Sequence, residues 1–144
     1  MPTDVTKVTA GKPKVGGALF RAPAGTALPA YAVTALADAY KCLGYVSEDG
    51  VTNSTSIDSD EVKAWGGDTV LTPQTGKTDT FKLALLESLN VNALKSYFGD
   101  DNVTGTDTGS GLFVKCTSKE LQSSVWVVEM IAAGNIPHRV VIPN

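Results

Sequence analysis

Val125-Trp126-Val127-Val128-Glu129-Met130-Ile131-Ala132-Ala133, then Gly134-Asn135, then Ile136-Pro137-His138-Arg139-Val140-Val141-Ile142 is the stretch that decides the fold class. Two apolar, β-branched runs flank a Gly-Asn pair, a pattern that predicts a β-hairpin closed by a two-residue turn of the primed type. In that register Glu129 lies opposite Val140 and diagonal to His138. Trp126, Val128 and Met130 then share a face with Arg139 and Val141, and Val127, Ile131, Val140 and Ile142 share the other. Both faces are mostly apolar, so neither suits water. The hairpin needs a core below and a second layer above, either a helix or a neighbouring subunit.

Upstream of the hairpin, Ser118 to Ser124 is a connection and Leu112 to Thr117 reads as a strand. Asp100 to Gly111 is a loop nearly devoid of apolar residues. Before it lies the one helix: Asn90 is an N-cap, Val91, Leu94, Tyr97 and Phe98 recur at helical spacing, and Gly99 sits at the C-cap. Thr80 to Glu87 reads as a strand with Phe81, Leu83 and Leu85 on one face and Ala84 and Leu86 on the other. Pro73, Gly76 and their polar neighbours mark a long loop. Val62-Lys63-Ala64-Trp65 runs into a turn at Gly66-Gly67-Asp68, and Thr69 to Thr72 returns. Tyr40 to Val46 alternates as a strand, Ser47-Glu48-Asp49-Gly50 carries a type I turn signature, and Val51 to Ile57 reads as the returning strand. Tyr31 to Ala39 is a loop or a single turn.

Residues 1–30 contain Gly11, Pro13, Gly16, Gly17, Pro23, Gly25 and Pro29, too many breakers for a long regular element. The segment buries too little apolar surface to offset its ordering entropy. It is expected to be an arm, loose in the monomer, whose Ala18-Leu19-Phe20 adds as a strand to a neighbour. The expected organisation is this arm followed by one mainly β domain over residues 31–144.

The composition excludes several function classes. The chain has 144 residues, which suits a single domain, and a net charge of −3. No basic stripe of the kind that releases counterions from duplex DNA is visible. No apolar run is long enough to span a membrane, and Arg21 interrupts the short run Val15 to Phe20, so no secretory signal is expected. Cys42 and Cys116 lie in apolar, strand-like segments and read as buried free thiols. His138 is the single histidine, which excludes His-pair zinc sites, and it reads as a partly exposed strand residue. Gly105 to Gly111 is glycine-rich but lacks the Lys-Ser/Thr of a phosphate loop. Asp100, Asp101, Asn102 and Asp107 do not match the spacing of a calcium loop. The acceptor patterns at Asn53-Ser54-Thr55 and Asn102-Val103-Thr104 have no secretion signal to give them meaning. Asp58, Asp60 and Glu61 cluster in what reads as a solvated loop; a hydrolase would need them to converge with Glu48 or Glu129 in a cleft. No catalytic residue, cofactor or metal is expected. Trp65 beside Gly66-Gly67 has two readings, a core tryptophan at a turn or an interface anchor.

Leu43-Gly44-Tyr45-Val46-Ser47-Glu48-Asp49-Gly50-Val51, followed by Val62-Lys63-Ala64-Trp65-Gly66-Gly67-Asp68, resembles the major tail protein (tail tube protein) family of long-tailed bacteriophages and prophages. The likeness continues through Thr80-Phe81-Lys82, Leu86-Glu87, the helix Asn90 to Phe98 and Gly99-Asp100-Asp101, with Gly17-Ala18 and Arg21-Ala22-Pro23 at the start. The resemblance implies a mainly β (α+β) fold, a β-sandwich or barrel-like subunit with one short flanking helix. It implies a structural virion protein that forms homo-oligomeric, hexameric rings stacked into a tube. The implied partners are tape-measure, tail-terminator and tail-tip proteins, with DNA passing through unbound and no membrane. The implied location is the virion tail, and the bacterial host cytoplasm before assembly. The family carries no enzymatic residue to transfer. Expected subunit contacts are Leu19 and Phe20 on the arm, Glu48, Asp49 and Gly50 at one turn, and Lys63, Trp65, Gly66, Gly67 and Asp68 at the other. Relatives of this kind continue past the segment matching Val140 to Asn144, with further strands and a tail; if the chain is truncated there, an exposed sheet edge is expected. A different reading is a β-sandwich binding module of a baseplate or receptor-contact structure, with Tyr45, Trp65 and Trp126 as its aromatics.

Overall fold

The computed structural model describes residues 3–106 and 108–143. Asp107, one of the four residues weighed as calcium ligands, and the terminal Asn144 lie outside them. The described residues are mainly β with one α-helix, as the alternating and helical patterns predict. In chain order the elements are β1 (Lys12–Pro13), β2 (Leu19–Pro23), β3 (Lys41–Cys42), β4 (Thr52–Ser59), β5 (Val62–Lys63), β6 (Thr69–Leu71), β7 (Gln74–Lys82), α1 (Val91–Phe98), β8 (Val103–Gly105), β9 (Leu112–Val114), β10 (Ser124–Ala132) and β11 (Ile136–Ile142). Contacts divide the chain into two units: Met1–Val46 with Leu85–Asn144, and Ser47–Ala84.

The first unit is built on β10. β11 pairs antiparallel with one edge of it, and β1 and β2 pair in succession along the other; β3 extends the sheet beyond β2. The hairpin forms, but its register is one residue from the expected one. Glu129 lies opposite Arg139, not Val140, and the loop is Ala133-Gly134-Asn135 rather than Gly134-Asn135 alone. Gly134 and Asn135 both have positive φ, so the turn chemistry was read correctly and the loop length was not. A one-residue slip moves every β11 side chain to the opposite face. Arg139 and Val141 therefore share a face with Val127 and Glu129, and Val140 and Ile142 share one with Trp126 and Val128.

Both faces are covered, as their apolar character demands. On one, Val125 and Val127 pack with Ala22 and Tyr40, joined by Phe20, Leu36 and Val141. The irregular stretch before β3 supplies this cover, and the Tyr40 hydroxyl donates to the Ala27 carbonyl at 2.9 Å to hold it down. On the other face, Arg21 reaches Asp100, just past α1, with two hydrogen bonds of 2.9 and 3.2 Å, and its Nε donates to Ser124 Oγ. Such a two-pronged guanidinium–carboxylate pair fixes orientation as well as adding energy.

Leu19 and Phe20 need correcting. They were expected on an arm that is loose in the monomer; they lie in β2 and pair with Val128 and Val127 of the same chain. Leu19 is fully buried. The breakers shape this segment without dissolving it. Between β1 and β2 the chain bulges around Glu129, whose N–H donates to the Ala18 carbonyl at 2.7 Å and whose carbonyl accepts from the Lys14 N–H. Gly16 and Gly17 take the positive φ values that the bulge needs.

The bulge brings Lys14 to the Glu129 carboxylate at 2.9 Å, and Arg139 binds the same carboxylate from β11. Burial alone would raise the Glu129 carboxyl. The hydrogen bonds from Lys14 and Arg139 outweigh it and hold the group below the ordinary value. Arg139 also donates to the Tyr31 carbonyl at 2.7 Å, tying the covering stretch to the sheet.

Helix α1 has the predicted ends. Asn90 Oδ1 accepts from the N–H groups of Asn92 and Ala93, and the Gly99 N–H closes on the Lys95 carbonyl. Gly99 has φ 98° and ψ 149°, an extended mirror-image conformation rather than the left-handed helical one, and equally reserved for glycine. The Asn90 amide also donates to Glu87, whose other oxygen accepts from the Tyr45 N–H. That carboxylate fills the space that a Cβ on Gly44 would need, and Gly44 has φ +83°. Gly44, Glu87 and Asn90 thus form one clasp beside the isolated bridge between Val46 and Leu85.

Two further expectations fail. Asp100 to Gly111 is not all loop: Val103–Gly105 pairs with Leu112–Val114 as a small ribbon. Both cysteines are free thiols, as expected, but Cys42 is half-buried and Cys116 is exposed.

Candidate functional site

The second unit, Ser47–Ala84, is a long antiparallel ribbon. The turn at Ser47–Gly50 forms as read, with the Gly50 N–H donating to the Ser47 carbonyl at 2.9 Å and Gly50 at φ 69°. It does not close a hairpin. The segment before it contributes only Lys41–Cys42 to the main sheet, and β4 pairs instead with β7, from Thr52 opposite Lys82 to Ser59 opposite Gln74. The expected loop around Gly76 is therefore most of a strand. Thr, Ser, Lys and Gly fill it, so no apolar alternation betrays it.

Every residue of β4 is exposed, and β7 is nearly so. One face of the stem carries Thr52, Ser54 and Ser56 with Lys82, Thr80 and Thr78; the other carries Asn53, Thr55 and Ile57 with Phe81, Asp79 and Lys77. Neither face contains a core. Each strand also has an edge unpaired among the described residues, with backbone donors and acceptors facing outward. Isolated two-stranded ribbons are marginal in water, so this one is incomplete by itself.

The tip has a different chemistry. β5 and β6 pair there, Val62 opposite Leu71, and the turn at Ala64–Asp68 is closed by two backbone bonds, the Ala64 N–H to the Asp68 carbonyl and the Gly67 N–H to the Ala64 carbonyl. Gly66 and Gly67, at φ 119° and 97°, take the backbone that other residues resist. They hold Trp65 at the apex with a relative exposure of 107%. Trp65 is thus no core residue. Val62, Val70 and Leu71 are also exposed there, so apolar side chains stand among Asp60, Glu61, Lys63 and Asp68 at the tip.

Of the positions singled out from the sequence, the structure brings Lys63, Trp65, Gly66, Gly67 and Asp68 together at this tip. Glu48, Asp49 and Gly50 sit at the ribbon's own base. Leu19 is buried in the other unit. Val5, Val8 and Val15, which stand singly among polar residues and glycines in the sequence, are exposed. His138 is exposed on β11. Among the described residues no three His, Cys, Asp or Glu side chains gather as metal ligands. Asp58, Asp60 and Glu61 are solvated, and Glu61 engages Lys63 and Thr69. The Glu129 carboxylate is taken up by its two cations.

A family model described as phage tail tube protein matches residues 6–144. The chain belongs to the phage tail tube protein family. No curated protein matches significantly, and no solved structure does. The family places the chain in the virion tail as a structural protein. Among the described residues, no helix is long and apolar enough to cross a membrane.

Proposed function

We propose that this chain is a non-catalytic subunit that self-assembles into hexameric rings, and that the rings stack into the tube through which phage DNA is delivered. The observation that carries the reading is the ribbon Ser47–Ala84, which has no core of its own and ends in an exposed tryptophan, in a chain of the tail tube family. Such a ribbon gains stability by docking on another protein. The proposed contact positions are Glu48, Asp49 and Gly50 at its base, and Lys63, Trp65, Gly66, Gly67 and Asp68 at its tip. Tape-measure, tail-terminator and tail-tip proteins are the proposed partners, met after the subunit has accumulated in the host cytoplasm. The net charge of −3 suits a conduit, because an acidic wall does not hold phosphates.

Electron microscopy of the purified protein, alone and with tail-tip complexes as nuclei, tests this. Tubes with sixfold rings are expected. A monomer that stays inert under every nucleating condition would overturn the proposal.

A further inference from the structure

We infer that the ribbon of one copy docks on the N-terminal segment of another, through opposite charge and exposed apolar side chains. The inference deepens the self-assembly proposed above and rests on it. Charge is unevenly spread along this chain. Residues 47–84 carry seven carboxylates and three lysines, a net −4, whereas residues 1–46 carry five cations and two carboxylates, a net +3. The acidic part is the ribbon. Glu48, Asp49, Asp58, Asp60 and Asp68 are exposed and have no ion-pair partner among the described residues.

The basic part begins with an exposed run, Thr3 to Val15. Lys7 and Lys12 there are likewise exposed and unpaired among the described residues. The same run exposes Val5, Val8 and Val15, and the ribbon exposes Val62, Trp65, Val70 and Leu71. Each surface thus offers what the other lacks: charge of one sign interleaved with apolar side chains that water solvates poorly. Opposite charge steers the encounter and sets the register, and apolar burial and the desolvated tryptophan hold it. The two surfaces are different patches of one sequence, so the contact is head-to-tail. Contacts of that kind propagate into rings or filaments rather than stopping at a dimer.

Charge exchange tests this between whole chains. One variant carries Lys7→Glu and Lys12→Glu, which takes residues 1–46 from +3 to −1; the other carries Asp58→Lys, Asp60→Lys and Asp68→Lys, which takes residues 47–84 from −4 to +2. All five positions are exposed, so both variants should unfold at the wild-type urea midpoint. Each alone now sets like charge against like, and tube yield should fall at least about tenfold. Mixed one to one, the reversed ribbon of one variant meets the reversed segment of the other, and tubes should return. Only a contact between copies can be rescued by mixing. Either variant assembling as well as wild type, or a mixture that fails to recover, would overturn the inference while leaving the tube reading intact. Failure of the wild-type protein to form tubes would instead remove the tube reading, and this contact with it.

Discussion

Glu129 shows how one residue fixes the register of the decisive hairpin. The two-residue turn would have left its carboxylate opposite Val140, with Arg139 on the far face. The observed three-residue loop puts Arg139 directly across, and the bulge before β2 adds Lys14. Glu129 is only 4% exposed, so removing its charge strands Arg139 in a poorly hydrated place. Glu129→Gln should destabilise the protein by about 3 kcal/mol at neutral pH, read from urea unfolding. The pH dependence has a definite sign. The folded carboxyl titrates below its ordinary value of 4.5, so its contribution is complete above that value and is lost as pH falls below it. The gap between wild type and Glu129→Gln should therefore narrow in urea melts taken progressively below pH 4.5. A gap that stays constant through that window would contradict the ion-pair account. Trp65 presents the opposite case. Its ring touches little in the subunit, so Trp65→Ala should change monomer stability by no more than about 0.5 kcal/mol. The same variant should abolish tube formation in electron micrographs, since a lone exposed tryptophan at a tip is suited to anchoring an interface.

At the scale of elements, what could be read in advance was whatever had a period. Helix α1 announced itself through Asn90, the apolar spacing and Gly99, and Asn90 does more than cap, since its amide also grips Glu87. Asn90→Ala should cost about 1 kcal/mol, seen as a lower urea midpoint with an unchanged slope. β10 and β11 were legible from their β-branched runs, and β5 and β6 from the Gly66-Gly67 turn between them. β7 was not legible. Gln74 to Thr80 lies in solvent on both faces, so burial never imposed an apolar alternation on it. The partner of β4 was misjudged for a related reason: Ser47–Gly50 has the composition of a hairpin turn and makes the turn, but composition says nothing about which strand returns alongside. β2 was hidden by the glycines and prolines around it, which proved to shape a bulge against β10. In the proposed contact set, Trp65 stands out in the sequence as a large aromatic beside two glycines, and the structure exposes it at the ribbon tip. Leu19 and Phe20, expected to add to a neighbour, pair with β10 of their own chain.

The molecule as a whole divides into a part with a core and a part without one. Tyr40, Val125, Val127 and Ala22 belong to the first unit; the ribbon buries almost nothing of its own. The first unit should therefore fold without the second. Val46 and Leu85 are β-bridge partners, with Cα atoms about 4.5–5.5 Å apart by the geometry of antiparallel pairs. An Asn-Gly turn can join them in place of Ser47 to Ala84. The shortened chain should be monomeric and unfold in a single urea transition. Its slope should be only slightly below that of the full chain, because that slope follows the surface newly exposed on unfolding and the ribbon is already exposed. It should form no tubes, alone or on tail-tip nuclei, because it lacks the proposed tip; it keeps the N-terminal segment that receives a neighbour's ribbon, so it should cap and shorten tubes of the full-length protein. Two results would overturn this division of labour. Loss of the cooperative transition would mean that the ribbon stabilises the core, and tubes of normal length from the shortened chain would mean that the ribbon is dispensable for assembly.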